Sequence, residues 1–165
     1  IEEVRAVLSP DFMTFAEDLS YNLGPMISAD CFGEFLSPWY RRVVPELRHR
    51  DIPAIVDSDG DITRAVPWFV EAGLQGILPL ECQSGVDIAA LQRDWPDFRF
   101  IGGFDKLVMK QGAAAMRREF ERLRPAIRRG KYLPSVDHQT PPDVSAANYR
   151  IYLELLREFT MPAPE

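Results

Sequence analysis

The residues best suited to chemistry form a dense acidic cluster, Asp57-Ser58-Asp59-Gly60-Asp61, with three carboxylates in five residues. Carboxylates this close repel one another unless a cation, an arginine or a proton relieves the repulsion. The cluster therefore predicts either a metal site or a raised pKa. It differs from an EF-hand loop because it follows a predicted strand rather than a helix. The ordinary alternative is a βα turn in which Asp59 or Asp61 caps a helix that begins near Ile62.

A histidine, His138, follows Asp137 at the end of the last predicted strand. The chain has two histidines, and the other, His49, lies late in a predicted outer helix. An adjacent carboxylate can fix the tautomer of a histidine, although neighbours on a strand point to opposite faces. His138 is therefore either a site residue or an ordinary polar residue of the turn that follows.

Glu81 and Cys82 end the third predicted strand. Because side chains alternate along a strand, only one of the two faces the strand-end cavity. We expect that residue to be Glu81, since burying a carboxylate is unfavourable unless it has a function or a partner, whereas a buried cysteine is usually a small core residue. The glycines before Asp105 indicate a turn with close backbone approach, and the chain has neither Walker nor GxGxxG spacing.

These side chains are positioned by apolar runs of β-type composition that alternate with helical patterns. The predicted strands are short and nearly continuously apolar, as in a parallel sheet covered on both faces. They are Phe12–Glu17, Ile52–Asp57, Gly76–Glu81, Phe98–Gly102 and Tyr132–Val136. The predicted helices are Ser37–His49, Ile62–Ala72, Asp87–Asp94, Ala113–Arg129 and Ser145–Phe159, with Ser37 and Ser145 as N-caps.

Strand–helix repeats of this kind predict an α/β architecture. Every predicted strand ends in polar or acidic side chains, which favours a barrel, because the whole C-terminal rim of a barrel faces one site. A complete (β/α)8 barrel needs about 250 residues, and these 165 residues supply about five βα units. We therefore expect residues 1–165 to be a single domain, the C-terminal portion of a TIM-type (β/α)8 barrel.

Composition excludes several classes of function. Apolar residues make up 46% of the chain, which argues against disorder, and the net charge of −6 argues against nucleic acid as a partner. No apolar run approaches the roughly 20 residues of a membrane span, and two cysteines make no disulfide framework. We expect a cytoplasmic protein without a membrane partner and, because the chain begins at Ile1 rather than methionine, one cut from a longer chain.

Several motifs in series are shared with a known enzyme superfamily. They are Glu17-Asp18-Leu19-Ser20-Tyr21, Gly24-Pro25-Met26-Ile27-Ser28, Val56-Asp57-Ser58-Asp59-Gly60, Pro79-Leu80-Glu81, Gly102-Gly103-Phe104-Asp105-Lys106, Asp137-His138 and Pro141-Pro142-Asp143-Val144-Ser145. In this order and spacing they resemble the C-terminal half of the uroporphyrinogen decarboxylase superfamily. The resemblance is to its methyltransferase-like branch, covers nearly the whole chain, and implies a TIM-type barrel of roughly twice this length.

The resemblance implies one of two chemistries. Uroporphyrinogen decarboxylase removes carboxylates from a tetrapyrrole without a cofactor, whereas its relatives transfer methyl groups between a corrinoid protein and a thiol. The relatives use zinc held by a His-x-Cys pair and a distant cysteine. The resemblance places Asp57 and Asp59 at the pair and His138 at the distant cysteine, and so implies three catalytic residues. With Glu81 as a fourth group they would hold a divalent metal.

The sequence departs from that pattern because neither thiolate ligand is present. An oxygen-rich set suits a harder ion or a weaker zinc site. The resemblance also implies a set of substrate-contacting residues, with Cys31 in the place of a substrate-contacting serine. These residues are Asp18, Tyr21, Cys31, Glu81 and Asp105.

Three functions stay open at this point. The first is corrinoid-linked methyl transfer with a metal-assisted acceptor and a corrinoid supplied by a partner protein. The second is cofactor-free decarboxylation of uroporphyrinogen or a related carboxylated tetrapyrrole, with acidic groups on the pyrrole nitrogens and His138 binding a carboxylate or relaying a proton. The third is a non-catalytic tetrapyrrole-binding module. Because five βα units leave strand edges unpaired, we expect the N-terminal half of the barrel or a second copy to cover them.

Overall fold

The structure is a computed structural model that describes residues 7–161, within which the chain forms seven strands and six α-helices. The strands are β1 (Met13–Ala16), β2 (Ser20–Tyr21), β3 (Gly24–Pro25), β4 (Ala54–Asp57), β5 (Gly76–Leu78), β6 (Arg99–Phe104) and β7 (Tyr132–Val136). The helices are α1 (Ala29–Phe35), α2 (Ser37–Arg48), α3 (Val66–Glu71), α4 (Ile88–Asp94), α5 (Ala113–Arg129) and α6 (Ala146–Thr160). Two 3-10 helices span Cys82–Ser84 and Lys106–Gln111. None of the helices in residues 7–161 has the length of apolar sequence that a bilayer crossing requires.

Five strands form one parallel sheet in the order β1-β4-β5-β6-β7. The spatial order follows the chain without a reversal, whereas a doubly wound sheet reverses at its switch point. A parallel sheet that adds each new strand on the same side, with a helical crossover between strands, is an arc of a TIM-type barrel. The predicted α/β class and the predicted partial barrel of βα units are confirmed.

The core lies between this sheet and the helices. On β4, Ala54 and Val56 belong to the main core cluster, so Ile55 and Asp57 face the opposite surface of the sheet. Phe104, the last residue of β6, packs its ring against Phe120 of α5 and Tyr152 of α6, with ring centroids 4.6 and 4.9 Å apart. This buried aromatic cluster fixes the point at which β6 ends and the polar loop begins.

The boundaries of most elements agree with the predictions. Helix α5 has the predicted limits, and Ser145 caps α6 by accepting a hydrogen bond from the Asn148 N–H. The prediction for Ser37 is wrong, because α2 begins at Ser37 and its N-cap is Leu36, which makes no side-chain capping bond. Leu36 also closes α1, since its N–H donates to the Phe32 carbonyl, so the chain passes directly from one helix into the next.

The segment between β1 and α2 contains structure that was not predicted. Strands β2 and β3 form a two-residue antiparallel ladder, and the seven-residue helix α1 follows. The hairpin lies against the loop after β4, because the Tyr21 carbonyl accepts a hydrogen bond from the Asp61 N–H at 3.1 Å. In the same region the Leu19 N–H donates to Ser58 Oγ at 3.0 Å. The hairpin is therefore part of the wall around the strand ends.

Gly102 on β6 lies where the backbone of β6 approaches the backbone of Pro79 closely, which a glycine permits. Its φ is +113°, and a Cβ atom at this position would lie 1.9 Å from the Pro79 carbonyl oxygen. We expect Gly102→Ala to lower the free energy of unfolding by about 2 kcal/mol or more, because the two backbone segments cannot separate without disturbing the sheet. Urea unfolding followed by circular dichroism measures the change.

Gly33→Ala is the matched control. Gly33 lies inside α1, and a Cβ atom there would have no neighbouring atom within 4 Å. Alanine should stabilise the helix by about 0.5 to 1 kcal/mol. Similar unfolding midpoints for the two variants would contradict the close-approach explanation.

Candidate functional site

The carboxyl ends of β4, β5 and β7 bring Asp59, Glu81 and His138 together. One ligand atom from each residue lies within 4.8 Å of the other two, and all three side chains are half-buried. His138 Nε2 lies 3.2 Å from Asp59 Oδ2. We call these three residues the rim triad. Two carboxylates and an imidazole at this separation form a donor set that a divalent cation can bind.

The loop after β4 presents Asp59 between two anchored residues. Ser58 is buried and accepts the Leu19 N–H, while the Gly60 N–H donates to Glu81 Oε2 at 2.9 Å. Gly60 has φ +75°, and a Cβ atom there would lie 2.5 Å from the Tyr21 backbone, so a larger residue does not fit. The glycine therefore allows the loop to approach Glu81 and places both carboxylates of the rim triad side by side.

The βα-turn alternative for the acidic cluster holds for Asp61, but Asp61 does not cap a helix, because the N-cap of α3 is Ala65. Asp61 Oδ1 accepts the Thr63 N–H at 3.0 Å and so stabilises a turn that continues into α3. The helix begins at Val66 rather than near Ile62 as predicted. Asp59 instead contacts His138, so neither of the two candidate residues caps the helix.

Asp137 joins the loops that follow β5, β6 and β7. It is fully buried, and its two carboxylate oxygens accept the backbone N–H groups of Cys82 and Lys106, each at 3.0 Å. The Lys106 ammonium lies 3.6 Å from Asp137 Oδ1 and 3.6 Å from Glu81 Oε1. Burial raises the pKa of Asp137, and the two amides and the ammonium oppose that rise. Asp137 therefore anchors the backbone beside Glu81 and His138.

Asp57 lies near the rim triad but does not belong to it. It ends β4, and its carbonyl oxygen accepts the Glu17 N–H at 2.9 Å. Burial raises the pKa of its carboxyl group, the charges of Asp59 and Asp18 raise it further, and His138 lowers it. We expected Asp57, Asp59 and His138 to form the metal-ligating set, with Glu81 as a fourth group. In the structure Glu81, held by the Gly60 N–H, takes the place of Asp57 in that group.

Three of the predicted substrate-contacting residues lie on or near the hairpin. Asp18 follows β1 with φ +46° and is close enough to Asp57 to raise its pKa. Tyr21 is 66% exposed on β2. Cys31 is half-buried in α1, where its N–H donates to the Ser28 hydroxyl. Their contact with a substrate stays a prediction.

Asp105 and Cys82 both have local structural partners. Asp105 Oδ1 accepts the Leu107 N–H at 2.8 Å and so caps the 3-10 helix after β6. The Cys82 thiol donates to the Gly103 carbonyl at 3.3 Å, and burial, with the charge of Asp137, raises its pKa to about 12. A thiol protonated at neutral pH is neither a nucleophile nor a thiolate ligand. The geometry supports the interpretation of Cys82 as a structural residue.

The chain was compared with the sequence models of known protein families. The sequence model of the family described as uroporphyrinogen decarboxylase (URO-D) matches residues 15–159. The chain belongs to the uroporphyrinogen decarboxylase family. The match extends from β1 to α6 and includes the whole rim triad. It confirms the superfamily inferred from the motifs and does not distinguish between its branches. A search of curated proteins finds no match.

Neutralising Asp57 should stabilise the folded chain at neutral pH. Its pKa is raised above the ordinary 3.8, so its ionised form is less favourable in the folded chain than in the unfolded chain. We expect Asp57→Asn to increase the free energy of unfolding at pH 7 by less than about 1 kcal/mol, because solvent screens a half-exposed group. The gain should shrink as the pH falls and vanish below the unfolded-state pKa. Urea midpoints between pH 3 and pH 8 measure it.

Glu154→Gln provides the control on an exposed carboxylate of α6. We expect little change in its unfolding midpoint at any pH, because its side chain is solvated in both states. A stabilisation by Asp57→Asn of equal size at pH 3 and pH 7 would contradict the electrostatic explanation.

Proposed function

We propose that the chain is part of a uroporphyrinogen decarboxylase superfamily enzyme that carries out corrinoid-linked methyl transfer with a metal-assisted acceptor. The observation that supports this proposal is the rim triad, in which Asp59, Glu81 and His138 converge within 4.8 Å. Its nitrogen and oxygen donors fit a divalent ion, although without thiolates they hold zinc less tightly than a sulfur-rich site. The family resemblance supplies the class of reaction.

In this mechanism the rim triad would bind the metal ion and Asp57 would transfer a proton. When bound, a divalent ion lowers the pKa of an acceptor thiol or hydroxyl. Asp59, Glu81 and His138 would hold it, and in the structure the contact between His138 Nε2 and Asp59 Oδ2 already keeps the imidazole ring beside this carboxylate. Asp57 ends β4 two residues before Asp59 and would take up the proton that the acceptor loses.

The proposal includes partners that complete the site. The methyl carrier is a corrinoid held by a partner protein, and Asp18, Tyr21, Cys31 and Asp105 contact the small-molecule or tetrapyrrole substrate. Within residues 7–161, β1 and β7 each have one edge without a sheet neighbour. The N-terminal half of the barrel, or a second copy, would cover those edges. The net charge of −6 argues against a nucleic-acid partner, and the proposal keeps the expectation of a cytoplasmic protein without a membrane partner.

Decarboxylation of uroporphyrinogen or a related carboxylated tetrapyrrole is the second candidate. The observation that favours it is the ammonium of Lys106 beside Glu81, because this pair gives the rim an internal counter-ion. In this mechanism the carboxylates of Asp57 and Asp59 bind pyrrole N–H groups, and His138 binds a substrate carboxylate or relays a proton. Carbon dioxide release from a porphyrinogen in the presence of EDTA would support this candidate. Binding of a porphyrin without turnover would support a non-catalytic module.

Metal binding tests the first candidate. We expect calorimetric titration of the chain with Zn²⁺ or Mn²⁺ to give one site, and His138→Ala and Asp59→Ala to weaken it at least about tenfold, because each removes a ligand. His49→Ala is the matched control, since His49 is exposed at the end of α2, and its affinity should equal that of the original chain. Absence of binding, or binding that survives both substitutions, would contradict the metal-assisted mechanism.

A further inference from the structure

Lys106 is the cation that lies deepest among the carboxylates of the rim. Its side chain is 18% exposed, and its ammonium lies 3.6 Å from both Glu81 Oε1 and Asp137 Oδ1. Lys110, on the same 3-10 helix, is 51% exposed and pairs with Asp143 on the surface. The two lysines therefore share a local backbone but differ in burial and in the charges that they face.

Both oxygens of Glu81 already have a polar neighbour. Glu81 Oε2 accepts the Gly60 N–H at 2.9 Å, and Oε1 lies beside the Lys106 ammonium. Glu81 is thus the member of the rim triad that the lysine contacts. Any cation bound by the triad shares this carboxylate with Lys106.

Asp137 keeps Lys106 in this position. The Lys106 N–H donates to the same carboxylate that attracts its ammonium, so the backbone and the side chain of the lysine are held by one buried group. Because Asp137 is fully buried, losing the ammonium would remove part of its compensation. Moving the ammonium away from this position would therefore leave the buried charge of Asp137 less well compensated.

We propose that Lys106 opposes the binding of divalent cations at the rim triad. The inference rests on the proposed function, because it concerns the same three ligands. Two positive charges that share one carboxylate repel each other strongly in a half-buried site. Lys106 also lowers the negative charge that Glu81 offers to an incoming ion. The lysine therefore lowers the affinity for every divalent ion, and ions that bind carboxylate and imidazole most strongly keep the highest remaining affinity.

Removing the charge of Lys106 tests this inference, because the proposal predicts that the affinity for the metal ion rises rather than falls. We expect calorimetric titration with Zn²⁺ and with Mn²⁺ to show at least about tenfold tighter binding by Lys106→Met than by the original chain. Because the two ions carry the same charge, the proportional gain should be similar for both. A lysine that only supports the structure would give the opposite result, because loosening the loops would weaken binding.

Lys110→Met is the matched control, and we expect it to leave both affinities unchanged. Lys106→Arg keeps the charge and should keep the original affinity. Lys106→Gln is the second neutral variant, used if Lys106→Met does not fold, because an amide can still donate to Glu81 and Asp137. Lys106→Gln should also bind Zn²⁺ and Mn²⁺ more tightly than the original chain does.

The outcomes separate the two proposals. If the original chain binds the metal ion and the neutral variants bind it equally well or more weakly, the role of Lys106 is overturned and the proposed function stands. Binding by the neutral variants alone would support Lys106 and contradict a metal in the original chain. Absence of binding by all variants would overturn both.

Discussion

The buried carboxylate of Asp137 is the interaction on which the arrangement of the strand ends depends. A carboxylate without exposure is unfavourable unless several donors surround it, and here the amides of Cys82 and Lys106 and the Lys106 ammonium do so. Removing one partner of a buried charge commonly costs about 3 to 5 kcal/mol, so three loops hold one another in place. Glu81 precedes Cys82 and His138 follows Asp137 in the chain, and both side chains are therefore placed by the same anchor.

The rim relieves the repulsion among its acidic groups at two of them. Glu81 has the ammonium of Lys106 and Asp59 has the imidazole of His138, whereas burial and the neighbouring carboxylates raise the pKa of Asp57. A ligand that enters this region must replace one of these partners or add to them. A metal would compete for the first two groups, whereas a tetrapyrrole N–H would contact the carboxylates without displacing a cation. The same electrostatic arrangement thus underlies both candidate chemistries.

The sheet strands and α5 could be predicted because their apolar residues are continuous or periodic, whereas the two-residue strands β2 and β3 have no such pattern. Glu81 was selected by alternation along a strand, but β5 ends before it and Leu80 has φ +55°. The residue that orients Glu81 is Gly60, from a different loop. Asp137 is next to His138 in the sequence, yet its partners are amides distant in the chain. Contacts between loops depend on the tertiary structure and leave no local signal.

The sequential order of the sheet also bears on how the chain reaches its native state. Each sheet strand pairs with the sheet strand before it in the chain, across separations of about 20 to 40 residues, so no pairing joins the two ends of the chain. During synthesis the partner of each new strand has already left the ribosome when that strand emerges. The arc can therefore grow in one direction, one βα unit at a time, without waiting for its C-terminal residues. The step that needs distant parts of the chain is the closing of a ring.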